Sequence, residues 1–149
     1  MPDLNAAVNS NERMFLLDTH AWVWLLEGKD EIKTKPIVED IEAASEQSKL
    51  CVASISLWEI AMLESKGRLG FRIPCLQWLI TALKVPGLDL ISINATIAAD
   101  SAKLPGRFHG DPADRLIVAS ARYAKAIVVT RDRAILDYAD QGHVQAVII

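Results

Sequence analysis

The sequence predicts an α/β fold, a central parallel β-sheet of about five strands with helices on both faces. From Met14 onward, short apolar runs alternate with longer stretches of helical spacing. The strand candidates are apolar on both faces, as strands are when helices cover both sides of a sheet. The chain has 149 residues, 51% hydrophobic and 23% charged. That is enough for one buried core, and it excludes disorder, a collagen-like repeat and a coiled coil.

The elements follow in order. Residues 1–13, MPDLNAAVNSNER, are polar and turn-rich, and read as a flexible tail ahead of a single domain over residues 14–149. Met14 opens the first apolar run and is a second candidate start. Met14–Leu17 is a strand, and Thr19–Leu26 is a helix closed by Gly28. Pro36–Gln47 has helical spacing at Ile37, Ile41 and Ala44, with Pro36 suited to a first turn. Leu50–Ala53 is a strand, Leu57–Lys66 a helix ending at Gly67, and Leu76–Leu83 another helix. Leu88–Ile93 is a strand, after which Asn94 caps a helix running to about Leu104 and stopped by Pro105-Gly106. Pro112–Lys125 is a long amphipathic helix, Ile127–Thr130 a strand, Arg133–Tyr138 a helix and Ala146–Ile149 the last strand.

Composition narrows the function. The formal charge is −3, so a nucleic-acid partner needs a local basic patch rather than the field of the whole molecule. Cys51 and Cys75 make no disulfide framework; Cys51 reads as a small buried hydrophobe, and the cytoplasm is the expected compartment. His20, His109 and His143 are scattered and give no zinc-ligand spacing with the cysteines. No apolar run approaches the ~20 residues that span a bilayer, and the N-terminus shows no signal peptide, so no membrane role is expected.

In a parallel sheet, the carboxyl ends of the strands and the starts of the following helices share one edge, where ligands bind. Five acids fall there. Asp18 ends the first strand and Glu59 lies in the first turn of the helix after the second. Asp111 and Asp114 open the long helix in GDPADRLIVASA, and Asp132 follows the fourth strand. Each has an ordinary reading. Asp18, Asp111 and Asp132 can cap helices, Ser56-Leu-Trp-Glu59 is a formal capping box, and Asp114 suits the helix dipole. Together they repel one another, and a divalent cation would relieve that. Oxygen-only donors select a hard ion, Mg²⁺ or Mn²⁺. The matching chemistry is phosphoester cleavage by a metal-activated water, with a carboxylate as proton acceptor. No GxxxxGK[ST] motif suggests an NTPase, and no Cys–His pair or serine elbow offers a nucleophile. Asp18-Thr19-His20 lacks the second carboxylate of a D-x-D phosphatase motif, and Leu17-Asp18 is not the acidic pair of a receiver domain.

The runs FLLDTHAWVWLLEG, ASISLWEIAMLESKGRL, LPGRFHGDPADRLIVASA and VVTRDRAIL closely resemble the PIN-domain family. They are most similar to the VapC-type toxin ribonucleases of bacterial toxin–antitoxin pairs. The resemblance runs from Met14 to near the C-terminus, and DPADRLIVASA with SLWEIAMLESKGRL makes it specific; the extension before Met14 is not part of it. It implies a PIN-like fold and an Mg²⁺- or Mn²⁺-dependent endoribonuclease that acts as a toxin. It further implies an RNA substrate, a cognate antitoxin protein and a homodimer. It matches Asp18, Glu59, Asp114 and Asp132 to the four family acids, Thr130 to the T-x-D stretch, and Asp111 to an extra acid of this subgroup.

On that match, Asp18 and Asp114 are the principal metal ligands, directly or through water. Glu59 and Asp132 hold ligating waters or orient the attacking one, and Thr130 is a hydrogen-bond donor behind them. Lys66, Arg68, Arg72, Arg107, His109, Arg115, Arg131 and Arg133 are either phosphate contacts or solvated charges, with an Arg115–Asp111 pair as one alternative. Trp58 and Trp78 are read as core or subunit-interface residues rather than base-stacking platforms. Trp22, with Leu25 and Leu26, is the expected apolar contact with a partner chain. Two other functions fit the same fold: a PIN-domain nuclease of RNA processing or DNA metabolism, and a non-catalytic nucleic-acid-binding module.

Overall fold

The computed structural model describes residues 13–149. The expected tail over residues 1–13 therefore lies outside the described residues, Arg13 excepted. The elements, in chain order, are β1 (Phe15–Leu17), α1 (Thr19–Glu27), α2 (Asp30–Lys33), α3 (Pro36–Glu46) and β2 (Leu50–Ala53). There follow α4 (Ile55–Ser65), α5 (Cys75–Ala82), β3 (Leu88–Ile91), α6 (Ala95–Ala102), α7 (Pro112–Ala124), β4 (Ile127–Thr130), α8 (Arg133–Asp140) and β5 (Gln145–Ile148).

The five strands pair in the order β3-β2-β1-β4-β5, and every pairing is parallel. Side chains alternate across the sheet, so each strand feeds two cores. Phe15, Leu17, Leu50, Val52 and Val129 pack under α1, α3, α4 and α5 through Trp22, Ile41, Ile60 and Trp78. Leu16, Cys51 and Val128 pack on the other face against Ile97 of α6, Ile117 and Val118 of α7, and Ile135 and Tyr138 of α8.

The chain builds outward from β1 through β2 to β3, then returns along α6 and α7 to place β4 on the other side of β1. The strand order therefore reverses between β1 and β4. Open α/β sheets leave a crevice at such a point, beyond the carboxyl ends of the two strands.

Most helix ends fall within a residue or two of the sequence reading. Two differences matter. Helix α2 is an extra turn, DEIK, too short to carry a periodic signal, and Ile32 is its one buried side chain. The Ser56–Glu59 capping box does not form. Helix α4 starts at Ile55, and Ser56 lies inside it, fully buried. Among the described residues, no helix is long and apolar enough to cross a membrane.

Candidate active site

Asp18 leaves β1 and caps α1, its Oδ1 accepting the Ala21 N–H at 2.8 Å. Its Oδ2 accepts a hydrogen bond from the hydroxyl of Thr130, the last residue of β4. The Thr130 hydroxyl oxygen in turn accepts the Asp132 N–H at 2.9 Å. One threonine thus ties the two central strand ends together across the reversal. Asp132 caps α8 through the Ile135 N–H at 3.1 Å, and Asp111 caps α7 through the Asp114 N–H at 3.0 Å. The capping readings are satisfied, and they also aim the acids: each cap engages one carboxylate oxygen of its residue.

Glu59 comes from α4, which a buried contact fixes against α1. The hydroxyls of Thr19 and Ser56 share a hydrogen bond of 2.9 Å, next to Asp18 on one helix and one turn before Glu59 on the other. Sequence reasoning missed this pair. A buried serine inside a helix calls for a polar partner, but periodicity does not say where the partner lies.

The five acids line one cleft of about 410 Å³, with His20, Trp24 and Arg131 among its other residues. Burial, then repulsion from Asp132, Asp111, Glu59 and Asp18, pushes the Asp114 carboxyl up to about 7. Burial also raises Asp18, against hydrogen bonds from Thr130 and the Ala21 amide that pull it down. A site that holds carboxylates against their own repulsion, with oxygen donors from four segments, fits a hard divalent cation.

His109 lies beside two of these acids. Its Nε2 lies 3.2 Å from Asp114 Oδ2, and ligand-type atoms of His109, Asp114 and Asp132 lie within 4.8 Å of one another. The oxygen-only donor set read from the sequence thus has an imidazole beside it.

The basic residues separate. Arg131 lines the cleft; its guanidinium sits 4.9 Å from the centre of the Trp24 ring and donates to the Ile149 carbonyl at 2.8 Å. Arg115 is turned away from the cleft. It donates to the carbonyls of Ser101 (2.8 Å), Phe108 (3.0 Å) and His109 (3.1 Å), and among the described residues it forms no ion pair with Asp111. Lys66, Arg68, Arg72, Arg107 and Arg133 are not among the lining residues.

Trp22 requires a correction. It is 1% exposed and packs edge-on against Trp78, with ring centres 5.8 Å apart, so it is a core residue and not a surface contact. Trp58, at 53% exposure, is not a core residue, whereas Trp78 is buried. A second, apolar groove of about 480 Å³ runs between α1, α2 and α3, lined in part by Trp24, Leu25, Leu26, Ile32, Val38 and Ile41. Trp24 lines both the groove and the acidic cleft.

Comparison with known proteins agrees with this architecture. The family model described as PIN domain matches residues 15–141. The chain is 36% identical to Ribonuclease VapC22 of Mycobacterium tuberculosis over 118 residues, which cover 79% of this chain and 86% of that protein. Among solved structures, it is similar to VapBC2 from Rickettsia felis bound to a promoter DNA fragment, with a TM-score of 0.66 and 18% identity. That match covers 91% of this chain and 98% of the other. A toxin–antitoxin complex from Klebsiella pneumoniae matches with a TM-score of 0.55 and 20% identity, covering 80% of this chain and 88% of the other.

Proposed function

This chain belongs to the PIN-domain family, and from that premise we propose that it is a metal-dependent endoribonuclease, the cytoplasmic toxin of a toxin–antitoxin pair. The observation that carries the proposal is the convergence of Asp18, Glu59, Asp114 and Asp132 on one cleft at the strand reversal. The ribonuclease relative, 36% identical, supports RNA as the substrate.

Asp18 and Asp114 would hold Mg²⁺ or Mn²⁺, directly or through water, with Glu59, Asp132 and the extra acid Asp111 around them. When bound, the ion supplies charge for a phosphate oxygen and a water of lowered pKa. The protein's own groups do the rest. Thr130 holds Asp18 by donating to Oδ2. Glu59 or Asp132 accepts the proton of the attacking water. Arg131, at the rim, contacts a backbone phosphate of the RNA.

The antitoxin is read as a segment lying in the apolar groove, where Trp24 provides continuity with the acids. A homodimer is part of the same reading. Leu76 and Ile80, one turn apart on α5 and both exposed, support it.

The test is incubation of purified protein with total cellular RNA, with Mg²⁺ or with chelator, followed by mapping of new 5′ ends. Wild type should cleave only with the metal, and Asp18→Asn should lower cleavage by about a hundredfold or more. Cleavage in chelator, or full activity in Asp18→Asn, would overturn the proposal. Growth arrest on expression, relieved by the product of a neighbouring small reading frame, separates a toxin from an RNA-processing enzyme.

A further inference from the structure

We propose that His109 is a positioning residue: it donates its Nε2–H to Asp114 Oδ2 and so turns the other Asp114 oxygen toward the divalent ion. The inference rests on reading the cleft as a metal-dependent nuclease centre.

The tautomer carries the argument. His109 Nδ1 accepts the Asp111 backbone N–H at 3.2 Å. A neutral imidazole has one N–H, so a ring whose Nδ1 accepts carries its hydrogen on Nε2. That Nε2 lies 3.2 Å from Asp114 Oδ2, a donor facing a carboxylate. Distance alone would also permit His109 as a metal ligand, because its ligand atom lies within 4.8 Å of those of Asp114 and Asp132. With its hydrogen on Nε2, the ring has no lone pair there for an ion.

The ring is also held in place. Phe108 lies against it, with ring centres 4.4 Å apart, and Phe108 rests on Tyr138 at 4.9 Å. Arg115 donates to the carbonyls of both Phe108 and His109, and the Tyr138 hydroxyl donates to the Pro105 carbonyl. The loop before α7 is thus pinned from α7 and α8 at once.

Asp111 completes the device. Its side chain caps the Asp114 N–H, while its own N–H orients the histidine that holds the Asp114 carboxylate. Asp114 is therefore fixed at both backbone and side chain. Surrounded by like charges, a free carboxylate would rotate away from them; a fixed donor keeps it in place before the ion arrives. Groups behind metal ligands act in this way, and losing one typically costs about 10–100-fold in metal affinity.

The experiment is Mn²⁺ titration of the full chain, read by the paramagnetic resonance signal of free Mn²⁺, for wild type, His109→Leu and His109→Gln. His109→Leu should bind Mn²⁺ about tenfold or more weakly. His109→Gln, which keeps a side-chain N–H, should recover part of the loss. The metal-free circular dichroism spectrum should be unchanged in both, and His109→Leu, which loses the donor to Asp114, should melt lower than His109→Gln. Pulsed resonance of Mn²⁺-loaded wild type should show no imidazole-nitrogen coupling. Equal affinity in His109→Leu and wild type would overturn the inference. So would equal loss in both variants, or a nitrogen coupling that disappears in His109→Leu. Wild type that binds no Mn²⁺ would instead remove the nuclease reading, a result distinct from all of these.

Discussion

At Asp114 two effects act in the same direction. Burial and four neighbouring acids both disfavour its charge, which pushes its carboxyl up to about 7. An unfolded aspartate titrates near about 3.9. Between those values the folded state binds the extra proton, so this group's contribution to metal-free stability is present at low pH and is lost as pH rises through about 7. Asp18, also raised by burial, adds a contribution of the same sign. Asparagine at position 114 mimics the protonated form at every pH. In the absence of metal the advantage of Asp114→Asn over wild type should therefore be smallest below about pH 4, partial at pH 5, where the unfolded aspartate is already ionised, and full at pH 8. The ion competes with the same proton, so Mg²⁺ should stabilise wild type more at pH 8 than at pH 5. The gain should reach about 2.7 kcal/mol at a hundredfold excess over Kd. Melts with and without Mg²⁺ at matched ionic strength measure both effects. An advantage of Asp114→Asn that does not change between pH 5 and pH 8 would count against the electrostatic account.

At the scale of elements, a close contact joins the end of α3 to the start of β3. Gly87 has a φ of 79°, and a Cβ there would lie 1.7 Å from the Ser45 carbonyl oxygen. The Ser45 hydroxyl donates to the Pro86 carbonyl at 2.7 Å, and Leu50 N–H pairs with the Gly87 carbonyl at 3.4 Å. Gly87→Ala must therefore move backbone, and it should destabilise the protein by about 1–3 kcal/mol. Gly67→Ala is the control, because it has positive φ but no atom within 4 Å of its Cβ, and it should cost less. Thermal melts of the two variants give the comparison, and equal losses would refute the steric argument. The strands themselves were legible: β2 and β4 lie at the residues read from their continuous apolar runs, because strands covered on both faces need no alternation. Asp18, Asp111 and Asp132 were legible because capping places them at helix starts on one edge, and Asp114 because it opens the same helix as Asp111. Trp22 was not. Helix α1, THAWVWLLE, is apolar on nearly every side, so its pattern does not say which large side chain goes under the sheet. His109 was only half legible. It was placed near the edge, but a lone histidine in a Gly- and Pro-containing loop has no period. Its orientation depends on its neighbour Phe108 and on Arg115 and Tyr138, which come from α7 and α8.

At the scale of the whole molecule, two dissimilar cavities share Trp24, one acidic and one apolar. An acidic cleft attracts a basic side chain, and arginine suits it best because its planar fork pairs bidentately with carboxylates. An apolar groove is the natural seat for the apolar face of a helix. A single inhibitor segment crossing Trp24 would use both, and most of its affinity would come from the groove. Binding and catalysis should then separate by residue. Leu26 is exposed on the groove and is not among the residues lining the cleft, so Leu26→Asp should weaken antitoxin binding and leave metal-dependent cleavage near wild type. Asp114→Asn should abolish cleavage yet keep substantial antitoxin affinity. Trp22→Ala is a poor probe, because Trp22 lies in the core and its loss would open a cavity costing about 3–5 kcal/mol. Titration of Leu26→Asp and Asp114→Asn against the product of the neighbouring small gene, beside cleavage assays on the same preparations, tests the separation. If Leu26→Asp binds as tightly as wild type while Asp114→Asn loses binding, the acidic cleft rather than the groove holds the partner.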